Sequence, residues 1–270
     1  MNTIQALVLG IIQGATEFIP ISSSGHLVLV PWLLNWPEPG LVFDTIVHWG
    51  TLVAILAVFW RDILALATAW VKSLVERNLD QTGARIAWLI IVGTVPAALM
   101  GFFLEDFFEG LFGSPGWVAA LLLVTGAILA LSERLGKRRR SLGDLGWLDS
   151  VLIGLAQGLA IAPGISRSGA TIAMGLLRGV EREAAARFSF LLATPIIFGA
   201  GLLKLIELLQ AGAVGAQLPP LVIGFLAAAI SGYLCIRFLL TYLQRGRLYV
   251  FATYCWLAGS VSLIVFLMRG

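Results

Sequence analysis

Residues 10–25, GIIQGATEFIPISSSG, return in altered form at residues 154–169 as GLAQGLAIAPGISRSG. Both copies place glycines, hydroxyls and a charged residue within a chain that is otherwise mostly apolar. Polar groups at membrane depth are costly and are therefore usually functional. Two matching copies predict two half-structures that meet to form one site. The positions that recur 144 residues later are Gly10, Gln13, Gly14, Ser22, Ser24 and Gly25.

The composition predicts a polytopic membrane protein formed as one membrane domain over residues 1–270. Of the 270 residues, 59% are hydrophobic and 12% are charged, whereas soluble domains have about 25% charged residues. Cys235 and Cys255 both lie in apolar runs, so neither a structural disulfide nor a cysteine metal cluster is expected.

The hydropathy pattern predicts an all-α fold with six transmembrane helices and two re-entrant helical hairpins that meet mid-membrane. The hairpins are residues 1–36 and 147–180, because Pro, Gly and Ser interrupt both apolar regions at their centres. Irregular backbone at that depth is tolerated only where it is buried in protein or lines a wet cavity. The six stretches long enough to span a membrane are roughly 41–60, 86–104, 116–134, 187–208, 218–240 and 249–268.

The distribution of charge predicts an inverted repeat. If each hairpin enters and leaves on one face, most of the 18 Lys and Arg residues share one side, which the positive-inside rule makes cytoplasmic. The halves are then residues 1–135 and 147–270, with opposite topology, joined by the basic cytoplasmic loop 134–146. The run 137–140 in this loop is interpreted as a topology anchor, with lipid head-group binding as a secondary alternative. The acidic residues Glu105, Asp106 and Glu109 fall on the opposite side.

The first hairpin tip carries Gln13 and Glu17, which share one helix face at a spacing of i, i+4. A carboxylate in apolar surroundings needs a partner. A divalent cation near Glu17 and Gln13 would provide one, since Mg²⁺ often binds one or two carboxylates together with phosphate oxygens. A buried ion pair between Glu17 and Arg167 is the alternative.

Three consecutive serines and a histidine follow Glu17 at the first tip. Hydroxyls at Ser22, Ser23 and Ser24, between Pro20 and Gly25, predict a loop that binds an anion. Serines in membrane helices can instead bond back to a carbonyl one turn earlier. His26 ends this polar loop and can exchange a proton near neutral pH.

The second tip carries an arginine between serines, a residue type whose planar guanidinium suits phosphate oxygens. Pro163 and Gly164 are expected to end one helix so that the next begins at the tip, where its N-terminus favours an anion. The candidate phosphate-binding residues of this tip are Ser166, Arg167, Ser168 and Thr171.

A further pair, Asp44 and His48, is spaced i, i+4 at the start of an apolar span. An interfacial pair is favoured over a role as partners of the site. Together the polar residues indicate a site for an anion such as phosphate with a divalent cation. No zinc-like Cys/His spacing and no Walker-type glycine loop is present.

Two motifs carry a resemblance to a known family. Residues 13–18 with 20–26, QGATEF and PISSSGH, and residues 163–171, PGISRSGAT, resemble the signatures of the undecaprenyl-pyrophosphate phosphatases of the bacitracin-resistance type. The resemblance extends over the full length. It implies a multi-pass enzyme of the bacterial inner membrane that converts the C55 isoprenoid pyrophosphate to its monophosphate. This reaction recycles the carrier lipid for cell-wall synthesis and gives bacitracin resistance.

The resemblance also implies roles for individual residues. Glu17 is expected to be the metal-associated acid, Ser23 and His26 the catalytic hydroxyl and imidazole, and Arg167 the phosphate-binding arginine. The cofactor is expected to be Mg²⁺ or Ca²⁺, and the site is expected to face the periplasm or outside. The family's first acid, E or Q, is Gln13 here, which leaves one carboxylate for the metal. The implied partners are the polyprenyl pyrophosphate and membrane lipids, not nucleic acid; a homodimer stays open.

Other functions fit parts of the same pattern. Inverted repeats with broken helices are typical of secondary transporters, so a lipid-phosphate flippase that binds without cleaving is the main alternative. A lipid phosphatase that uses two histidines is excluded, because no histidine follows His48. The attacking group stays open among water, Ser23 and His26.

Overall fold

The structure is a computed structural model that describes residues 1–210 and 218–269, without the side chains of residues 105, 106, 109, 112, 208 and 209. The predicted acidic cluster of Glu105, Asp106 and Glu109 therefore lies outside the described side chains. The all-α prediction is confirmed, since the described ranges contain helices and no β-strand. The helices are α1 (Thr3–Phe18), α2 (Ser23–Leu34), α3 (Gly40–Glu76), α4 (Thr82–Phe103), α5 (Glu105–Phe112), α6 (Pro115–Leu135), α7 (Trp147–Leu159), α8 (Arg167–Leu177), α9 (Arg182–Gln210), α10 (Leu218–Leu243) and α11 (Tyr249–Arg269).

Within the described residues, six helices are long and apolar enough to cross a membrane, as the sequence predicts: α3, α4, α6, α9, α10 and α11. Many of their apolar side chains are exposed, among them Phe102, Val222 and Leu257, as expected for helices that contact lipid. The predicted span 41–60 lies within α3, which continues as a helix to Glu76 past a bend at Phe59 (φ −105°, ψ 15°). The residues after the bend stay helical and largely apolar.

Each predicted hairpin consists of two helices too short to span a membrane. In the first, α1 ends at Phe18 and α2 begins at Ser23. In the second, α7 ends at Leu159 and α8 begins at Arg167, beyond the break at Pro163 and Gly164. The breaks therefore lie where the sequence predicts them.

The repeated glycines explain how each hairpin packs against the opposite half. A Cβ at Gly10 on α1 would lie 2.5 Å from the carbonyl oxygen of Gly224 on α10, and a Cβ at Gly154 on α7 would lie 2.2 Å from that of Gly93 on α4. One turn further, Gly14 lies close to the backbone of Ala228 on α10, and Gly158 lies close to the Met100 side chain and to Ala97 on α4. Small residues four apart let membrane helices approach closely. Each half therefore contributes a hairpin helix to the other half by equivalent contacts.

Two buried acids attach the loop between the halves to its surroundings. The carboxylate of Glu133 accepts hydrogen bonds from Arg138 and Arg182, and that of Asp149 accepts bonds from Arg140 and Arg178. Two arginines of the basic run thus bind acids of the protein itself. This contact fixes the loop and reduces the cations left for lipid head groups.

We predict that Gly154→Ala destabilises the fold while Gly199→Ala does not. The added methyl group at position 154 would press on the backbone of Gly93, an overpacking that costs about 1–3 kcal/mol. Gly199 lies in α9, and a Cβ added there would have no atom within 4 Å, so alanine at this position gains helix propensity. Thermal unfolding in detergent measures both variants. An unchanged melting temperature for Gly154→Ala would contradict the packing described for α4 and α7.

Candidate active site

The two hairpin tips meet through an ion pair between Glu17 and Arg167. Nη2 of Arg167 donates to Oε1 of Glu17 at 2.6 Å across 150 residues of sequence. Only 5% of the Glu17 side chain and 15% of the Arg167 side chain are exposed. A buried charge of this kind needs its partner, because removal of one member leaves the other uncompensated. The pair therefore joins the two halves of the chain at their polar motifs.

The second carboxylate oxygen of Glu17, Oε2, lies close to further polar side chains of the first half. Oε2 accepts a hydrogen bond from Ser23 Oγ at 2.5 Å and another from Gln13 Nε2 at 3.1 Å. His48 Nε2 lies 3.9 Å from the same oxygen. The carboxylate is thus the centre of a buried polar cluster that combines residues from α1, α2, α3 and α8.

Local structure at the first tip brings Ser23 back to Glu17. Gln13 and Glu17 lie one turn apart on α1, and the chain turns at residues 19–22 before α2 begins at Ser23. Ser22 has φ 72°, an unusual value for a residue with a side chain. Its hydroxyl caps α2 by accepting from Gly25 N at 3.2 Å. The strained cap lies where the function is expected, as is common for such residues.

The second tip repeats this arrangement. Ser166 caps α8 by accepting from Gly169 N at 3.0 Å, and its own N–H donates to Thr125 Oγ1 on α6. Gly164 has φ +99°, and a Cβ there would lie 2.4 Å from a carbonyl oxygen of α6, so only glycine fits. Both tips present the N-terminus of a helix, and such ends favour anions.

The two tip backbones are each supported by a side chain from a membrane span. The carbonyl of Gly164 accepts from Thr125 Oγ1 at 2.8 Å. The carbonyl of Pro20, which is 144 residues earlier, accepts from Cys255 Sγ on α11 at 3.9 Å. The site is therefore built from two similar tips whose reactive side chains differ.

His26 is held by groups at both ring nitrogens. Nδ1 lies 2.7 Å from the carbonyl oxygen of Ser22, and Nε2 lies 2.7 Å from the hydroxyl of Tyr254 on α11. Since a carbonyl can only accept, Nδ1 carries the proton and Nε2 accepts from the tyrosine. The two rings also stack at 5.7 Å. Sequence reasoning missed Tyr254, because a single tyrosine in an apolar span carries no distinctive signal.

The other predicted phosphate-binding hydroxyls have internal contacts as well. Ser166 and Ser168 lie 3.3 Å apart, oxygen to oxygen, and both are buried. Thr171 Oγ1 bonds to the carbonyl of Arg167 at 2.8 Å and lies 2.6 Å from Ser189 Oγ. Ser24 is only half-buried, near Ser22. A role of these hydroxyls in phosphate binding stays a prediction.

The structure changes the interpretation of Asp44 and His48. His48 lies within reach of Glu17, so it belongs to the polar cluster and not only to an interface. Its Nδ1 lies 2.7 Å from the carbonyl oxygen of Asp44. The Asp44 side chain has one oxygen without a hydrogen-bond partner among the described residues.

The donors present fit a cation that arrives with a phosphate, not one held by the protein alone. Among the described residues, no three His, Cys, Asp or Glu side chains are grouped as metal ligands. Gln13 Oε1 is buried without a partner there and lies beside the Glu17 carboxylate. One carboxylate and one amide oxygen suit Mg²⁺ or Ca²⁺ when phosphate oxygens and water complete the shell. Arg167 Nη1 is likewise buried without a partner in the described part, and it can donate to an anion.

Comparison with known proteins identifies the family. The family model described as bacitracin resistance protein BacA matches residues 6–261 of the sequence. The chain belongs to the BacA family. It is 49% identical to a protein of Thermomicrobium roseum over 98% of both chains, and 47% identical to a protein of Geobacter sulfurreducens over the whole of both. A protein of Desulforudis audaxviator is 45% identical over the same extent. All three are named undecaprenyl-diphosphatase.

For this BacA family member we predict that Glu17→Gln lowers stability by about 3 kcal/mol, because it leaves the Arg167 charge buried without its partner. The double variant Glu17→Gln/Arg167→Met should recover most of that loss. Exposed Glu76 pairs with Lys72 at 3.7 Å, so Glu76→Gln should change stability by less than about 1 kcal/mol. Thermal unfolding in detergent measures all three. No recovery in the double variant would show that the charges are not coupled.

We predict that Tyr254→Phe lowers kcat about two- to tenfold, the effect of one lost hydrogen bond, and leaves KM unchanged. The phenylalanine ring keeps the stack on His26 but cannot donate to Nε2. Tyr249→Phe, on the exposed start of α11, is the matched control. Steady-state kinetics on a lipid pyrophosphate separate the two constants. A change in KM alone would argue against a role of Tyr254 in positioning the imidazole.

Proposed function

We propose that this chain hydrolyses undecaprenyl pyrophosphate to undecaprenyl phosphate and inorganic phosphate. The reaction recycles the carrier lipid for cell-wall synthesis and gives bacitracin resistance, in accord with its BacA family membership. The named relatives act on the same diphosphate. The observation that carries the proposal is the contact between Glu17 and Arg167, which places a guanidinium, a carboxylate and a serine hydroxyl at the meeting point of two helix N-termini.

Binding of the pyrophosphate begins with Arg167. The free Nη1 donates to a phosphate oxygen, and the guanidinium can bind the anion through two parallel bonds. The N-termini of α2 and α8 add positive potential at the same place. When Arg167 also binds the anion, its hydrogen bond to Glu17 weakens. Substrate binding therefore leaves the Glu17 carboxylate able to accept a proton.

The geometry favours Ser23 as the attacking group. Its hydroxyl already donates to Glu17, the arrangement of a nucleophile beside its base. Ser23 Oγ attacks the terminal phosphorus and its proton passes to Glu17. The bond from that phosphorus to the bridging oxygen breaks, and undecaprenyl phosphate leaves with the electron pair. The product on the protein is a phosphoserine.

His26 serves the second step. Ser23 and His26 are spaced i, i+3 on α2, so they are neighbours on the helix surface. When the Tyr254 hydroxyl moves off Nε2, that nitrogen takes a proton from a water that attacks the phosphoserine. The bond from phosphorus to the Ser23 oxygen breaks, Glu17 returns its proton to that oxygen, and inorganic phosphate is released. Direct attack by that water on the lipid pyrophosphate is the alternative route.

A divalent cation, Mg²⁺ or Ca²⁺, is part of the proposal. Gln13 and Glu17 would hold it together with oxygens of the substrate. When bound, such a cation offsets the charge that develops on transferred and leaving phosphoryl oxygens.

The first isoprene units of the lipid tail fit an apolar groove between α3, α4 and α9. The groove has a volume of about 350 Å³, and its lining includes Leu52, Trp70 and Phe198. Leu52 lies one turn along α3 from His48, so the groove begins beside the polar cluster. A shape open to the bilayer accepts prenyl chains of different length.

The placement in the cell follows from the same proposal. The chain is a multi-pass membrane protein, and we assign it to the bacterial inner membrane with the two halves inverted and both hairpins re-entrant. The site then faces the periplasm or outside. A homodimer is compatible with this arrangement.

We predict that the purified protein in detergent releases phosphate from undecaprenyl pyrophosphate and that EDTA or Glu17→Ala abolishes the release. Arg167→Ala should lower kcat/KM about a hundredfold or more, as found for other removed charge donors. Arg139→Ala, an exposed arginine of the central loop, is the control and should retain full activity.

The outcomes separate the functions. Lipid binding without phosphate release would favour a flippase over a phosphatase. Release that resists EDTA would overturn only the role of the cation, and near-normal activity of Arg167→Ala would overturn the phosphate-binding role of Arg167.

A further inference from the structure

A buried amide in the second half has no hydrogen bond to the part of the chain that the structure describes. The Gln157 side chain on α7 is buried, with 2% of the residue exposed, and neither its oxygen nor its nitrogen has a partner among the described residues. A buried polar group left unsatisfied is destabilising, and each such group needs a physical explanation. The roles that the two motifs predict for other residues do not include one for Gln157.

Gln157 is the repeat equivalent of Gln13. Each glutamine precedes the second glycine of its motif, and those glycines pack closely on the opposite half, Gly14 on α10 and Gly158 on α4. The helices α1 and α7 therefore begin at equivalent positions, but α7 ends at Leu159, before Ala162, which is the repeat equivalent of the α1 end at Phe18. The matching serine caps at Ser22 and Ser166 extend this equivalence to the tips themselves.

The equivalence indicates what lies beside Gln157. In the first half, the Gln13 amide and the Ser23 hydroxyl both reach one oxygen of Glu17. The second half has Ile161 at the position of Glu17 and Arg167 at the position of Ser23. By this equivalence the amide of Gln157 is expected on the side of α7 that packs on α8, which begins at Arg167, and an apolar side chain stands at the position of the carboxylate that would satisfy it.

The geometry points to Gln157 as a further ligand of the substrate. We propose that its amide N–H donates to an oxygen of the pyrophosphate that Arg167 binds. The inference rests on the proposed function. The inference gives the buried Gln157 amide an acceptor. A phosphate oxygen of the substrate would accept its hydrogen bond, as the Glu17 carboxylate accepts that of Gln13.

The test uses the full-length protein in detergent with methylenediphosphonate, a pyrophosphate analogue that cannot be hydrolysed. Calorimetry gives its affinity, and thermal unfolding gives the stability of the same samples. Gln157→Met keeps the length of the side chain and removes the amide. Gln157→Glu keeps the shape and repels the anion, and it serves if the methionine variant does not fold. Gln244→Met, at an exposed amide beyond α10, is the control.

We expect the affinity of Gln157→Met to fall about tenfold to a hundredfold, as for a lost hydrogen bond to a charged group, while its melting temperature stays equal or rises. Gln157→Glu should bind more weakly still. Affinity within twofold of the wild type in either folded variant would overturn the inference. If the wild-type protein releases no phosphate from the lipid, the proposed function fails instead, so the two failures are distinguishable.

Discussion

The rest of the structure depends on one buried ion pair between Glu17 and Arg167. Neither charge is stable in an apolar interior alone, so each hairpin tip needs the other. The contact closes over 150 residues of chain and can form only if both hairpins reach the same depth. Glycine packing of α1 on α10 and of α7 on α4 sets that depth. The same pair makes the site ready for an anion, because an anion can replace the carboxylate at the arginine.

Equal scaffolds with unequal side chains explain how one site arises from two halves. The caps, the close helix contacts and the supported carbonyls occur twice. The reactive groups occur once: the first half supplies Glu17 and His26, where the second has Ile161 and Ala170. The second half supplies Arg167, where the first has Ser23. The repeat thus provides symmetric support, and each half adds chemistry that the other lacks.

Much of this was predictable from the sequence. Long apolar runs predict the spans in the described residues. In a bilayer the backbone N–H and C=O groups must bond to each other, so an apolar segment that crosses it forms a helix. The polar tips were visible because charged and hydroxyl residues interrupt apolar runs. The extension of α3 past Phe59 was not visible, since an apolar helix can continue with no sequence signal for its end.

The contacts of single side chains were also beyond the sequence. His48 and Tyr254 reach the site from α3 and α11, and only tertiary packing decides which face of a long apolar helix meets a tip. An experimental structure of the protein with methylenediphosphonate tests the central claim most directly. The account predicts the analogue between the two tips, in contact with Arg167 Nη1 and close to Ser23. An analogue bound away from the two tips, without contact to Arg167, would contradict it.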